Sequence, residues 1–294
     1  MSQALEIESR GVRGRGPGRE AISRFLRTPS SAVALAVLGL LVGVAVAAPL
    51  ASPYDPLEQN MADFLAAPGR AHWFGTDQFG RDILSRVIWG GRLTLQVGAI
   101  AVGISGAVGV TLGLAAGFYG RWLDFVVMRL VDLLLAFPTI LLALGVVAIL
   151  GGSLPTVMIA VGVAGIPQFT RLVRATVLAI RSLPYIEAAR AVGCRDRAVV
   201  WRHILPNVVA PALVLATTSG AGAIITGAAL SFLGLGARPP APEWGAMLST
   251  GREFLRHAPW MSIFPGLAIM SAVVAINVIG DRLRDLLDPR LRMD

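Results

Sequence analysis

The chain has no lysine, one cysteine and three histidines, and only 15% of its residues are charged. Each shortage removes a class of function. A lone cysteine, Cys194, cannot close an internal disulfide, and no CxxC or His/Cys cluster offers a metal site. His72, His203 and His257 are scattered and read as packing or interfacial residues rather than ligands. No GxxxxGK[ST] run is present, so the chain cannot cradle nucleotide phosphates in that way and is expected to bind no cofactor of its own. No Ser–His or His/Glu pair falls inside the apolar segments, which leaves an intramembrane enzyme without facing catalytic groups. The 26 cationic residues are all arginine and the net charge is +8. No basic stripe interleaved with aromatics accompanies them, so nucleic acid is not an expected partner.

What is abundant is apolar surface. Hydrophobic residues make up 55% of the 294, and the mean hydropathy is +0.68. An ordinary soluble domain carries roughly 25% charge; this composition needs lipid as its solvent. Six apolar runs are expected to span: Ser31 to about Ala51, Leu93–Phe118, Phe125–Leu150, Leu154–Leu172, Pro211–Leu235 and Met261–Ile279. The expected organisation is a cytoplasmic arm over 1–30, a first span over 31–51 and an external segment with an interfacial helix over 52–92. A five-span core over 93–285 then carries a basic loop at 173–209, and 286–294 form a tail. The arm is polar and rich in Gly and Arg, with a short amphipathic piece around Phe25 and Leu26. The first apolar run is too long for a cleaved leader. With the N-terminus inside, 19 of the 26 arginines fall in cytoplasmic segments, and the opposite orientation inverts that bias. Six spans then place both termini in the cytoplasm, in an all-α integral membrane protein.

The basic loop reads SLPYIEAARAVGCRDRAVVWRHILPN. Tyr185, Ala188, Ala189 and Val192 recur at i, i+3, i+4 and i+7, one helical face. Glu187 and Arg190 are spaced for an i, i+3 pair. Gly193 can close that helix in a left-handed cap. Asp196 is a candidate N-cap for a second short helix, and Pro206 is expected to end it. A small-residue face suits docking into a groove on another protein; an amphipathic helix lying on the lipid surface is the alternative.

EAARAVG followed by HILPN resembles the "EAA" loop of permeases of ATP-binding-cassette importers. HWFGTDQFGRDILSRVIWGGR, GFYGRWLDFVVMRLVDLLLAFP, LSFLGLGARPPAPEWGAML and NVIGDRLRDLLDPRLR resemble the dipeptide/oligopeptide subfamily, in the order of its C-type permease. The matches run from His72 to Arg292. The resemblance implies the type I importer permease fold, with ATP and Mg bound only by partner ATPases. It implies a B-type permease as heterodimer partner, cytoplasmic ATPase subunits, an extracytoplasmic binding protein and residence in a bacterial cytoplasmic membrane. It assigns ATPase coupling to Tyr185, Glu187, Ala188, Ala189, Val192, Gly193, Leu205 and Pro206. Di- or oligopeptides are the implied cargo, with glutathione or metal chelates of the nickel type as alternatives.

Other features keep two readings. Gly109, Gly113 and Gly117 line one helix face and suit close packing, either within the chain or between subunits. Asp77–Arg81 and Asp82–Arg86 are spaced as i, i+4 ion pairs of a capped interfacial helix, or serve to receive the binding protein. Asp132, inside the third span, has Arg129 within reach as a partner. Pro138 is expected to kink that span. Trp244 and Trp260 suit an outer aromatic belt. Asp281, Arg282, Arg284 and Asp285 read as a solvated helix end. A secondary transporter or channel calls for paired broken helices or charged rings, and the sequence shows neither.

Overall fold

The computed structural model describes residues 28–287; the amphipathic piece at Phe25 and Leu26, and Arg290 and Arg292 in the tail, lie outside them. Among the described residues the chain is helical, with a single isolated bridge, Thr76 to Asp82. The helices are α1 (Pro29–Val46), α2 (Ala48–Ala51), α3 (Ile83–Tyr119), α4 (Arg121–Leu135), α5 (Thr139–Leu150) and α6 (Leu154–Arg181). Then come α7 (Pro184–Ala191), α8 (Asp196–Phe232), α9 (Trp244–Gly251) and α10 (Trp260–Leu287). Five helices are long and apolar enough to cross a bilayer, and the bent pair α4–α5 makes a sixth when it is counted as one broken span.

Local chemistry sets the boundaries. Asp82 caps α3, its carboxylate accepting from the Ser85 amide at 2.7 Å, and Gly120 ends the helix at φ +64°. Ser153 caps α6 by accepting from the Thr156 amide. Gly120 is followed by a reversal into α4, and α4 and α5 meet at an angle of 96° across Ala136–Pro138. The expected kink at Pro138 is thus a full break. Asp132 pairs with Arg171 of α6 at 2.6 Å, not with Arg129: i−3 spacing offers proximity on one helix, but α6 supplies a guanidinium across it.

The tightest helix contact joins α3 to α6. A Cβ added at Gly109, Gly113 or Gly117 would lie 2.5 Å from Phe169 Cβ, 2.7 Å from Val173 Cβ and 2.8 Å from Val177 Cβ. The glycine ladder therefore meets the chain's own α6, and that face is filled rather than open to a second subunit.

The 52–82 segment is a folded cap on α3. Asp77 binds Arg81 at 2.7 Å across a tight turn and also faces Arg86 at 3.6 Å. Arg86 thus turns to Asp77 rather than to Asp82, because Asp82 is engaged by Ser85 and by His72 Nδ1 at 2.9 Å. Trp244, expected in an outer belt, lies buried inside the protein, its indole donating to the Val87 carbonyl at 2.8 Å. Trp260 donates to the Thr76 carbonyl at 2.9 Å. Beside Trp244, the buried Glu243 accepts from Thr94 Oγ1 and from the Gly245 and Ala246 amides. A buried carboxylate is tolerable only with such donors. This knot ties α9 to α3.

Candidate coupling site and translocation surface

Helix α7 begins after Leu183, with Pro184 in its first turn, where a missing N–H costs nothing. Its end is a Schellman cap: the Gly193 amide donates to Arg190 O at 2.9 Å and the Cys194 amide to Ala189 O at 3.0 Å. Gly193 sits at φ +83°, and a Cβ there would meet nothing within 4 Å, so the backbone conformation alone demands glycine. Ile186 is fully buried among Phe118, Val173, Val177, Ile180, Val199, Ile204 and Val208. One side chain therefore anchors α7 to the ends of α3, α6 and α8 together. Burying an isoleucine stabilises by about 1.5–3 kcal/mol.

The opposite face points away from the protein. Tyr185 is 44% exposed and Val192 80%; Glu187 and Ala188 are exposed and Ala189 half-buried. Arg190 lies over the Phe118 ring at 5.2 Å, so the spacing-based pair with Glu187 is replaced by a cation–π contact. Trp201, 69% exposed, belongs to the same end of the molecule, beyond Tyr185 and His203.

Two expectations for the second half of the loop are corrected. Asp196 is the first residue inside α8, and Arg195 holds the N-cap position. Pro206 does not end a short helix: α8 runs on to Phe232. The turn Val200–Ile204 widens to a π-helix, with the Leu205 amide donating five residues back to Val200. That widened turn absorbs the proline, and Asn207 Nδ2 donates to the His203 carbonyl at 2.6 Å. Leu205 is half-buried and Pro206 exposed. The helix that follows α7 is therefore continuous with a span.

Above it lies a groove along one face of α8. A cavity of about 760 Å³ is lined by Asn207, Pro211, Val214 and Thr218 with Asp281 and Arg284 of α10. A second, of about 320 Å³, is lined by Thr218, Ser219, Gly222 and Thr226 with Thr139 at the start of α5. Gln168 of α6, Leu215 and Thr218 belong to both. The residues on α8 step by three or four, one helical face. Asn207, Thr218, Ser219 and Thr226 supply hydroxyls and an amide among apolar neighbours, without charge until the Asp281 end. Sequence reading passed over them, although polar residues inside apolar runs were a visible signal. Helix α4 is held to α6 by the paired Asp124–Arg174 and Asp132–Arg171 bridges.

Residues 109–293 match the family described as the inner membrane component of binding-protein-dependent transport systems. Residues 16–68 match the N-terminal TM domain of oligopeptide transport permease C. The chain is 47% identical over 276 residues to the dipeptide transport system permease protein DppC of Alkalihalophilus pseudofirmus, covering 94% of this chain and 91% of that one. It is 46% identical over 281 residues to the glutathione transport system permease protein GsiD of Pectobacterium atrosepticum, covering 95% and 93%. A solved chain of an amino acid ABC transporter with histidines overlaps 71% of this chain and 94% of its own length, at TM-score 0.49 and 16% identity. Matched over most of its length and from both ends, the chain belongs to the dipeptide/oligopeptide-type permeases of ABC importers, as a non-catalytic, multi-pass inner membrane subunit.

Proposed function

We propose that this permease forms half of the translocation pathway of an importer for di- and oligopeptides, driven by separate ATPase subunits through α7. The observation that carries the coupling role is the anchoring of α7: Ile186 is sunk into the ends of three spanning helices while Tyr185, Ala188 and Val192 face outward. A push on that face reaches α6 and α8, and α8 lines the groove, so alternating access is a rigid-body motion delivered through one short helix. Glu187, Ala189, Gly193, Leu205 and Pro206 complete the coupling segment. The groove wall, with Gln168, Thr218, Ser219 and Thr226, meets its counterpart on a B-type permease. Its uncharged hydroxyls and amides suit peptide backbone groups, and an extracytoplasmic binding protein delivers the cargo at the 52–82 end. Glutathione is the second cargo reading, favoured by the 46% identity to a glutathione permease.

The coupling role is tested in the assembled complex in proteoliposomes. Ala189→Arg places a long cation on the docking face, and Gly193→Val forces a β-branched residue to positive φ, at about 1–2 kcal/mol. Both variants insert, but ATPase co-purification and ATP-dependent dipeptide uptake fall together. Gly193→Asn, which tolerates the left-handed region, retains most of both. Wild-type assembly and uptake in Ala189→Arg and Gly193→Val overturn the coupling role. Competition of uptake by glutathione against dipeptides separates the two cargoes.

A further inference from the structure

On the far side of α8 from the polar groove lies a different cavity, of about 570 Å³, between α1, α3, α8 and α10. Its walls are apolar and small: Ala99 of α3, Ala216 and Gly220 of α8 and Ile276 of α10. Val42 and Val46 of α1 border it and are substantially exposed, so it opens sideways, between spans. Arg92 and Gln96 line its end nearest the 52–82 cap, one helical turn apart. Among the described residues Arg92 has no ion pair and no hydrogen bond.

The dimensions decide what fits. From Arg92 to Val102, both in the lining, α3 rises about 15 Å, half of a hydrocarbon core of roughly 30 Å. The cavity is thus one leaflet deep. Water has almost no polar partners along these walls. An extended peptide would bring backbone groups that nothing there satisfies. A hydrocarbon chain fills the space without polar cost, and a guanidinium at its mouth matches a phosphate.

We propose that this cavity is a phospholipid site. One acyl chain lies along Ala99, Ala216 and Gly220, and the lipid phosphate sits on Arg92, with the Gln96 amide donating below it. The bound lipid mortars α1 to the core while α8 remains free to move on its other face. This assignment is independent of the cargo and of the coupling role.

The test uses the assembled importer, with a photoreactive benzophenone residue in place of Val46. After irradiation in native membranes, the expected adduct on this chain is phospholipid, identified by mass spectrometry. Arg92→Ala in the same background is expected to lower the adduct about tenfold, the loss of one charge-assisted bond. Ala99→Phe, which fills the groove, is expected to abolish it. Assembly of each complex is checked by size-exclusion chromatography, and adduct yield is normalised to assembled material. Absence of a lipid adduct with Arg92 and Ala99 intact, cross-linking to the second permease instead, or an adduct unchanged by both substitutions overturns the proposal. The Val46 probe alone decides it if either variant fails to assemble.

Discussion

A Cβ on Gly113 would lie 2.7 Å from both the Thr170 carbonyl and Val173 Cβ, while one on Gly103 of the same helix meets nothing within 4 Å. The two glycines are alike in sequence and opposite in consequence. Inside a bilayer, helix association depends on van der Waals contact, so the close approach of α3 to α6 is what a side chain at Gly113 removes. Gly113→Leu is therefore expected to destabilise the purified subunit by about 1–3 kcal/mol, the usual cost of overpacking, and Gly103→Leu to leave stability nearly unchanged. Unfolding in detergent, followed by circular dichroism, checks this; equal midpoints for the two variants would show that the ladder does not set the α3–α6 distance. The charged residues teach the same lesson of position over type. Arg86 and Arg92 lie six residues apart on α3, yet Arg86 is buried against Asp77 and the Pro56 carbonyl, whereas Arg92 is exposed and unpaired among the described residues.

At the scale of single elements, α7 has one anchor. Ile186→Ala removes a fully buried side chain from the cluster with Val177, Val199 and Ile204, and a cost of about 2–5 kcal/mol is typical. Because the docking face is untouched, the variant is expected to keep its ATPase bound while uptake per ATP hydrolysed falls; measuring both in proteoliposomes separates this from Ala189→Arg, where binding itself is lost. If Ile186→Ala transports at wild-type efficiency, the anchor transmits nothing. Ile186 was within reach of sequence reasoning as the lone bulky aliphatic on the face opposite Ala188, but the small-residue periodicity drew attention to the other side. The spans themselves were legible, since long apolar runs need only composition. Gly193 was legible as a positive-φ position, because its cap is a local structure. What escaped depended on distant partners. The rule that helices stop before proline failed at Pro206 because a π-turn absorbs it, and the aromatic-belt rule failed at Trp244 because Val87 and Thr94 wait for it and its neighbour. The break at Pro138 was foreseeable as a kink. Its 96° was not, because Arg171 and Arg174, 39 and 50 residues beyond their partners Asp132 and Asp124, fix where α4 lies.

For the whole molecule, the structure separates two polar ends, and the remaining question is which faces the cytoplasm. One end carries the 52–82 cap, held through Trp260 and Thr76, with α9 tied to α3 through Glu243 and Thr94. The other carries α7, the Gly120 turn and the end of α10, where Arg282 reaches Ser30 at 3.3 Å, so the start of α1 and the end of α10 share a side. The arginines are concentrated at that second end, and cytoplasmic segments hold the cationic excess. The chain's single cysteine, Cys194, is free, exposed and placed just beyond α7, which makes it a native reporter. In intact spheroplasts a membrane-impermeant maleimide is expected to leave Cys194 unlabelled, and permeabilisation to make it reactive. A cysteine at Glu253, exposed at the cap end, in a Cys194→Ser background is expected to label without permeabilisation. Assembly with the ATPase can shield a cytoplasmic Cys194, so the permeabilised sample of the permease without its ATPase is the control for its reactivity. Labelling of Cys194 in intact spheroplasts together with protection of the cysteine at 253 inverts the topology, and it would put α7 on the side where no ATP-driven subunit can reach it.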